Sequence, residues 1–212
     1  MGRKKLKHLG RYKKMKKNIK KIGSVVCVII SISVILNIVN YIKNTNESKE
    51  IYTENSKIDF INKVEKGAKK SYRQYEIFPS ITIAQAILES GWGESELTKN
   101  SNNLFGIKAD SRWKGEYVEA ITSENYDDKI KAKFRKYDSL ESSIEDHAKF
   151  LVENQRYEKN GVFKARDYKK QAKALQDAGY STKKNEKGEL MYANMLIQLI
   201  EKYNLQELDS KL

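Results

Sequence analysis

The chain has 212 residues, of which 39% are hydrophobic and 33% charged, and its formal net charge is +13. This length suits one compact domain with an additional segment. A single cysteine, Cys27, excludes an intrachain disulfide, and His8 and His147 are too few and too scattered for a zinc site of the usual ligand spacing. We therefore expect neither a disulfide scaffold nor a bound metal or cofactor.

The positive charge is concentrated at the amino end. Residues 1–21 contain eleven Lys and Arg residues and no acidic residue, whereas the rest of the chain carries thirty basic residues against 28 acidic ones. A short basic tail is not the basic face that a folded nucleic-acid-binding domain presents. The sequence therefore predicts no nucleic-acid partner.

Residues 22–42, IGSVVCVIISISVILNIVNYI, form an uncharged stretch. As a helix, it is long enough to cross a bilayer core of about 30 Å. The positive-inside rule predicts a cytoplasmic tail and an extracellular carboxyl-terminal domain. A cleaved signal peptide is the alternative, but the stretch exceeds a usual signal core and no small-x-small cleavage pattern follows. We expect an uncleaved single-pass anchor in the cell membrane, followed by a polar linker at 43–55.

Two helices are predicted after the linker. Apolar residues at helical spacing indicate an amphipathic helix over 57–75, with Ser56 as its N-cap. A second, mostly apolar helix begins at Pro79, and Gly91 and Gly93 end it.

The pattern changes after a polar loop through Asn100–Asn103. Short apolar pieces in residues 110–137 alternate with turn-like clusters, which predicts a small antiparallel β element. Asp138, with Glu141 three residues later, resembles a capping box that begins the next helix. Further helices are predicted up to Gly179 and from Leu190. The order of elements predicts an α+β, mainly α fold.

Glu89 is the first candidate for chemistry. It lies in the last turn of the second predicted helix, three residues before Trp92. Partial burial and the negative end of the helix dipole would both raise the pKa of this carboxyl group, as a general acid requires. From these residues alone, a solvated glutamate at a helix end is an equally good interpretation.

Four spaced blocks of the sequence are AQAILESGWGES, NNLFGIK, KFRKYDSLESSIEDHAKFL and YANMLIQLI. In this order they resemble glycoside hydrolase family 73, the bacterial β-N-acetylglucosaminidases that cut cell-wall peptidoglycan, and the match covers roughly residues 56–205. The resemblance implies a lysozyme-like catalytic domain at 56–208 with a β-hairpin lobe. It also implies an endo-β-N-acetylglucosaminidase that acts on peptidoglycan glycan strands without a cofactor.

The resemblance assigns catalytic roles to two carboxyl groups. Glu89 takes the role of general acid. The family's Thr-x-Glu step matches Thr122-Ser123-Glu124, which makes Glu124 the second carboxylate, with Glu116 and Glu119 as competitors. The separation of the two carboxyl groups would distinguish inverting from retaining chemistry. A substrate-assisted course, in which the acetamido group of the sugar is the nucleophile, is the third possibility.

A family tyrosine near the carboxyl-terminal YA block faces the cleft beside the acid. Tyr192-Ala193 matches this block, and Tyr180 is the competitor. The stretch KKNEKGELMYA is longer and more charged than the short link expected from the resemblance. This difference puts the role of Tyr180 in doubt.

Aromatic and amide side chains are further candidates for substrate binding. Sugar rings stack on flat apolar faces, so Trp92, Phe105 and Trp113 are candidates for the groove, with core packing as the alternative and the better one for Phe105. Asn102 and Asn103 are expected to shape their loop or to contact substrate.

Other functions remain open at this stage. A lysozyme-like domain with one catalytic glutamate also serves lytic transglycosylases and muramidases. A non-catalytic glycan-binding envelope protein is the alternative from another class. No pattern in the sequence indicates an oligomeric state.

Overall fold

The computed structural model describes residue 43, residues 53–124 and residues 128–210, but not the side chains of residues 122–130. The predicted tail (1–21), the predicted membrane anchor (22–42) and most of the predicted linker lie outside the described residues. The chain divides into two compact units, Met1–Asn55 and Ser56–Leu212, and the fold described below is that of the second. Within the described ranges, no helix combines the length and apolarity needed to span a bilayer.

Helices make up most of the second unit. In chain order they are α1 (53–75, of which residues 56–75 belong to this unit), α2 (Pro79–Ser90), α3 (Glu96–Ser101), α4 (Leu140–Glu153), α5 (Gln155–Lys159), α6 (Tyr168–Asp177) and α7 (Tyr192–Lys202), with 3₁₀ turns at Val162–Lys164 and Leu205–Leu208. An antiparallel hairpin of β1 (Tyr117–Glu124) and β2 (Asp128–Arg135) lies between α3 and α4. The predicted mainly helical α+β class and the predicted β element are confirmed.

The core is arranged around α2. Pro79 occupies its first turn, and Gly91 ends it in the left-handed conformation (φ 57°), donating its N–H to the carbonyl of Ile87. Most residues of α2 are buried, and the helix packs against α6, α7 and the Leu205–Leu208 turn. The predicted start and end of this helix are confirmed, and its burial fixes the position of its last turn.

The amino end of α2 is capped by residues distant in sequence. Asp209 accepts hydrogen bonds from the Ser80 backbone N–H at 2.9 Å and from the Ser80 hydroxyl at 2.6 Å. Gln171 accepts from the Phe78 N–H at 2.8 Å and donates to the Glu76 carbonyl at 2.9 Å. These contacts satisfy donors at a helix start that has no local side-chain cap.

The hairpin is attached to α4 at its base. Arg135 at the end of β2 donates to Asp146 Oδ2 at 2.8 Å, and the Tyr137 hydroxyl donates to the same oxygen at 2.7 Å. Arg135 and Asp146 are largely buried, so this pairing is shielded from solvent. At the other end of the hairpin, Glu124 is opposite Asp128 in the strand register.

Several element ends differ from the sequence predictions. The chain is already helical at residue 53, so Ser56 is not the N-cap of α1. The helix α3 was not predicted. The N-cap of α4 is Ser139, whose hydroxyl accepts from the Ser142 N–H at 3.1 Å, rather than Asp138. Leu190 is exposed and precedes α7.

Candidate active site

Glu89 lies in the last turn of α2, beside a pocket of about 230 Å³. Its neighbours Ile87 and Ser90 are buried, whereas Glu89 itself is exposed. Among the described residues that line this pocket, Glu89 is the only acid. Most of the lining is aromatic, and it includes Phe105, His147, Phe150, Tyr157 and Tyr180. The helix therefore presents a single carboxyl group to an aromatic concavity.

The hydroxyl of Tyr192 binds the carboxyl group directly. It donates to Glu89 Oε1 at 3.0 Å and accepts from Gln85 Nε2 at 3.1 Å. Tyr192 is buried in the first turn of α7, where the next N–H, that of Ala193, donates to Gln176 Oε1 at 3.0 Å. Two buried amides thus set the position of the tyrosine that orients Glu89.

The pKa of Glu89 is raised above its ordinary value. Desolvation by the surrounding protein atoms is the largest cause; the Tyr192 hydrogen bond and the positive charge of Lys183 both lower this pKa, but by less. The exposure of Glu89 does not contradict this desolvation, because the residue lines a concavity in which neighbouring protein atoms displace part of the water around the carboxyl group. The direction of the shift agrees with the sequence expectation and favours a group that carries a proton.

Stacked rings form one wall of the pocket. Tyr180 stacks on Tyr192 with ring centroids 5.1 Å apart, and its hydroxyl is 3.1 Å from His147 Nε2. His147 in turn stacks on Phe105 at 3.8 Å. The structure therefore brings together Glu89 and three aromatic side chains that the sequence singled out, Phe105, Tyr180 and Tyr192.

Arg156 is a pocket residue that the sequence analysis missed. Its guanidinium donates to the Tyr157 hydroxyl at 2.6 Å, lies 4.7 Å from the centre of the Tyr157 ring and donates to the Gly179 carbonyl at 3.4 Å. Gln85 was missed as well, because one polar residue on an apolar helix face does not disturb the helical pattern. An arginine in a short polar helix likewise resembles ordinary solvated charge.

Trp92 is not among the residues that line the Glu89 pocket. It has a positive φ of 64° and is half-buried, with its ring edge-on to Phe60 and Tyr203 at 6.1 and 4.9 Å. It lines a separate pocket of about 300 Å³, which Asn102 also lines.

Trp113 lines a third pocket, of about 540 Å³, between the hairpin base and α4. Its indole N–H donates to the Glu116 carbonyl at 2.8 Å, and the Arg135 guanidinium lies 4.7 Å from the ring centre. Gly115 packs so closely on the indole that an added Cβ would lie 2.6 Å from it. These contacts pack the indole against its own loop and β2.

The two asparagines bind backbone groups of the loop and hairpin. Asn102 ends α3 in the left-handed conformation and donates to the Tyr137 carbonyl at 2.9 Å. Asn103 is buried, donates to the Ile107 and Arg135 carbonyls at 3.0 and 2.8 Å, and accepts from the Ile107 N–H at 3.1 Å. The loop that carries Phe105 is shaped by these bonds.

The competing carboxyl groups of the hairpin are paired with lysines. Glu116 contacts Lys136 at 2.7 Å and Glu119 contacts Lys131 at 2.5 Å, and these partners lower the pKa of both acids. The backbone of Glu124 ends β1, and its side chain is outside the description. Within the described ranges, no group of three or more His, Cys, Asp or Glu side chains is arranged to hold a metal ion.

Comparison with known families identifies the family of the chain. The sequence model of the glucosaminidase family, described as mannosyl-glycoprotein endo-beta-N-acetylglucosaminidase, matches residues 65–205. The chain belongs to the glucosaminidase family. It is therefore a glycoside hydrolase, and the resemblance drawn from the sequence blocks is confirmed.

Two relatives show how far the glucosaminidase similarity extends. The exo-glucosaminidase LytG of Bacillus subtilis is 37% identical over 204 residues, which are 92% of this chain and 70% of LytG. The peptidoglycan hydrolase FlgJ of Salmonella typhimurium is 34% identical over 168 residues, which are 76% of this chain and 50% of FlgJ. The chain thus matches most of one relative and half of the other.

Solved glucosaminidase structures share the fold. The glycoside hydrolase domain of Salmonella FlgJ has a TM-score of 0.59 and 33% identity, covering 73% of this chain and 92% of that domain. The catalytic domain of the autolysin Auto from Listeria monocytogenes has a TM-score of 0.61 and 34% identity, covering 73% and 88%. The helices and the two-stranded sheet are consistent with the lysozyme-like fold expected from the family resemblance.

Proposed function

We propose that the chain is a membrane-anchored peptidoglycan hydrolase that cleaves the β-1,4 glycosidic bond after N-acetylglucosamine, with Glu89 as the general acid. The names of its relatives support the substrate, because FlgJ is a peptidoglycan hydrolase and LytG an exo-glucosaminidase. We propose internal cleavage of glycan strands, in contrast to the exo activity that the name of LytG states.

The observation that carries the proposal is the position of Glu89. Glycosidic cleavage needs a proton for the leaving oxygen, and desolvation raises the pKa of this carboxyl group while a rigid helix and Tyr192 orient it. The aromatic wall beside Glu89 provides apolar faces on which sugar rings stack. A carboxyl group whose pKa is raised by desolvation, next to such a wall, fits protonation of a bound glycan.

The second half of the reaction has two candidate routes. In one, Glu124 acts as the base that activates water on the opposite face of the sugar, which inverts the anomeric centre. In the other, the substrate's own acetamido group attacks, which retains it. Glu124→Gln should abolish activity by the first route and leave activity by the second largely intact. NMR of the first anomer released shows whether the anomeric configuration is inverted or retained.

The amino-terminal segment supplies the proposed location. The basic tail would remain in the cytoplasm, residues 22–42 would cross the membrane and the catalytic domain would lie outside the cell, next to its substrate. Protease added to intact cells that express the full chain should degrade the domain. A domain protected until the cells are lysed would refute this orientation.

The test of the reaction uses a nearly isosteric change. Glu89→Gln should abolish the release of sugars from purified peptidoglycan while the thermal unfolding transition remains. The matched control is Glu201→Gln, the same change at an exposed residue of α7 paired with Lys169, which should keep full activity. Activity of Glu89→Gln near that of the unchanged chain would refute Glu89 as the general acid.

Mass spectrometry of the products tests the bond that is cut. Oligosaccharides with reducing-end N-acetylglucosamine would support the proposal, whereas anhydro-muramyl ends would identify a lytic transglycosylase and reducing-end N-acetylmuramic acid a muramidase. Free N-acetylglucosamine as the first product would show that the enzyme cleaves from the chain end and would refute internal cleavage. Binding without any product would indicate a non-catalytic glycan-binding protein.

A further inference from the structure

The wall of the Glu89 pocket contains a buried histidine for which the proposed reaction gives no role. His147 is 1% exposed, and its ring lies parallel to that of Phe105 at 3.8 Å with an interplanar angle of 11°. Its Nε2 atom is 3.1 Å from the Tyr180 hydroxyl oxygen. The stacking fixes the plane of the imidazole, and the hydrogen bond fixes which ring edge faces Tyr180.

The other ring nitrogen, His147 Nδ1, is buried. Among the described residues, none forms a hydrogen bond with it. If Nδ1 carried the proton, a buried N–H donor would have no acceptor, which is rarer and more costly in folded proteins than a lone pair without a donor. The surroundings therefore favour the tautomer with the proton on Nε2, where it can be donated to Tyr180.

The ring carries no charge at neutral pH. Burial lowers the pKa of His147 to about 3, so the imidazole neither accepts nor releases a proton under ordinary conditions. It cannot serve as the acid or the base of the reaction. What it supplies is one hydrogen-bond donor with a fixed direction.

Tyr180 connects this donor to the reacting site. Its half-buried ring stacks on Tyr192, whose hydroxyl binds Glu89, and it lines the same pocket as Glu89. A tyrosine hydroxyl has one proton and accepts through its oxygen. If that oxygen accepts from His147, the proton of Tyr180 is left to donate either to the neighbouring Tyr192 hydroxyl, a hydrogen-bond partner that lowers the pKa of Tyr180, or to a group in the adjacent pocket.

We propose that His147 is a positioning residue. Its Nε2–H donates to Tyr180 Oη and thereby directs the Tyr180 O–H toward a substrate oxygen in the Glu89 pocket. The acceptor is an oxygen atom of an N-acetylated sugar, either the carbonyl oxygen of its acetamido group or the oxygen of a ring hydroxyl. This inference rests on the proposed function for the substrate and adds to it a role for a buried histidine and a direction for the Tyr180 hydroxyl.

The kinetic test is a double-mutant cycle on soluble glycan strands. Tyr180→Phe and His147→Phe should each lower kcat about tenfold, which corresponds to one neutral hydrogen bond lost from the transition state, with a smaller change in KM. Because both changes remove the same interaction, the double variant should lose no more than Tyr180→Phe alone. His147→Gln places an amide N–H near the Nε2 position and should recover most of the loss. Tyr168→Phe, at a tyrosine outside the pocket, is the control and should leave kcat unchanged.

Three kinetic outcomes would overturn the proposal. The first is a fall in kcat in the double variant equal to the product of the two single falls. The second is a kcat in His147→Gln as low as that in His147→Phe. The third is an unchanged kcat in Tyr180→Phe. The Tyr180→Phe measurement tests the proposal even if His147→Phe does not fold, because Tyr180→Phe removes only a hydroxyl group and leaves the ring in place.

A spectroscopic test is independent of activity. The chain has only two histidines, His8 and His147, so ¹⁵N-histidine labelling of the full chain gives two pairs of ring-nitrogen signals, and His8→Asn identifies the pair from His147. We expect a neutral ring protonated on Nε2 that does not titrate between about pH 5 and 8. An Nδ1–H tautomer or a charged ring would overturn the proposal. If Glu89→Gln remains active, the proposed role of Glu89 is refuted, but the tautomer measured for His147 is unaffected by that outcome.

Discussion

Tyr192 donates a hydrogen bond from its hydroxyl to Glu89 Oε1 at 3.0 Å, although the two residues are 103 positions apart in the chain. The same hydroxyl accepts from the buried amide of Gln85, one helical turn before Glu89 on α2. The bond therefore joins α7 to the last turn of α2 and gives the carboxyl group a fixed orientation. It also stabilises the ionised form, so Tyr192 limits the rise in the Glu89 pKa that desolvation produces.

Tyr192→Phe should shift the pH dependence of kcat toward alkaline pH. Removal of the donor takes away an interaction that lowers the pKa of Glu89, so this pKa should rise. The general acid must be protonated to act, and the alkaline limb of the profile should move with it. The measurement is kcat against pH on soluble glycan strands.

The same change should also reduce stability, because the buried Gln85 amide loses its acceptor, at a cost of about 1–3 kcal/mol in the free energy of unfolding. Tyr203→Phe is the matched control, since Tyr203 is half-buried at the other end of α7. It should leave the pH profile in place. An alkaline limb that stays fixed or moves toward acid in Tyr192→Phe would contradict this account of the carboxyl group.

Glu89→Gln should gain thermal stability relative to the unchanged chain as the pH rises. The pKa of Glu89 is higher in the folded chain than in the unfolded chain, where it is about 4.3. Glu89 therefore contributes fully to the stability of the fold below this unfolded-state pKa. That contribution is lost as the pH rises through the folded-state pKa. Glutamine has no such loss. Melting temperatures should be similar near about pH 4 and higher for the variant at neutral pH, by roughly 1–3 °C.

Glu201→Gln should show the opposite sign. Lys169 lowers the pKa of Glu201, so its carboxylate contributes stability above the unfolded pKa, and removing the charge should slightly lower the melting temperature at neutral pH. Scanning calorimetry of the three chains across this pH range gives both differences. A neutral-pH melting temperature of Glu89→Gln below that of the unchanged chain would mean that the carboxylate stabilises the fold and is not strained by burial.

The sequence predicted those parts of the fold that have strong local signals. Pro79 and Gly91 mark both ends of α2, and period-two alternation marks the hairpin. The helix α3 was missed because six residues are too few for an apolar period and its cap, Ser95, lies within a polar run. Ser139 and Asp138 are both good caps in sequence, and only the hydrogen bond of Ser139 distinguishes them.

The candidate site was predictable where a motif carried it and not where the tertiary fold assembled it. Glu89 follows from its motif, but no pattern in the sequence shows that Tyr192 and Gln85 meet beside it. Trp92 belongs to the same motif as Glu89, yet its positive φ turns the chain so that the indole packs against Tyr203. Neighbouring residues in a motif therefore need not share a pocket.

Asp209→Ala should lower the free energy of unfolding by about 1–2 kcal/mol, the usual cost of losing a helix cap. Asp209 accepts both the N–H and the hydroxyl of Ser80 at the start of α2, and Ser80 is buried. Asp209→Asn keeps one acceptor oxygen and should lose less. Asp59→Ala, at an exposed aspartate of α1, is the control for denaturant unfolding. Equal midpoints for the Asp209 and Asp59 variants would show that the cap contributes nothing.

Asn103→Ala should cost more, about 2–4 kcal/mol, because the buried amide makes three hydrogen bonds to backbone groups of Ile107 and Arg135. Asn102→Ala removes a single bond, to the Tyr137 carbonyl, and should cost about 1 kcal/mol. Denaturant unfolding of the two variants, with KM measured well below their midpoints, separates a structural role from substrate binding. If Asn103→Ala unfolded at the midpoint of the unchanged chain and raised KM, Asn103 would be a substrate contact instead of the residue that shapes the Phe105 loop.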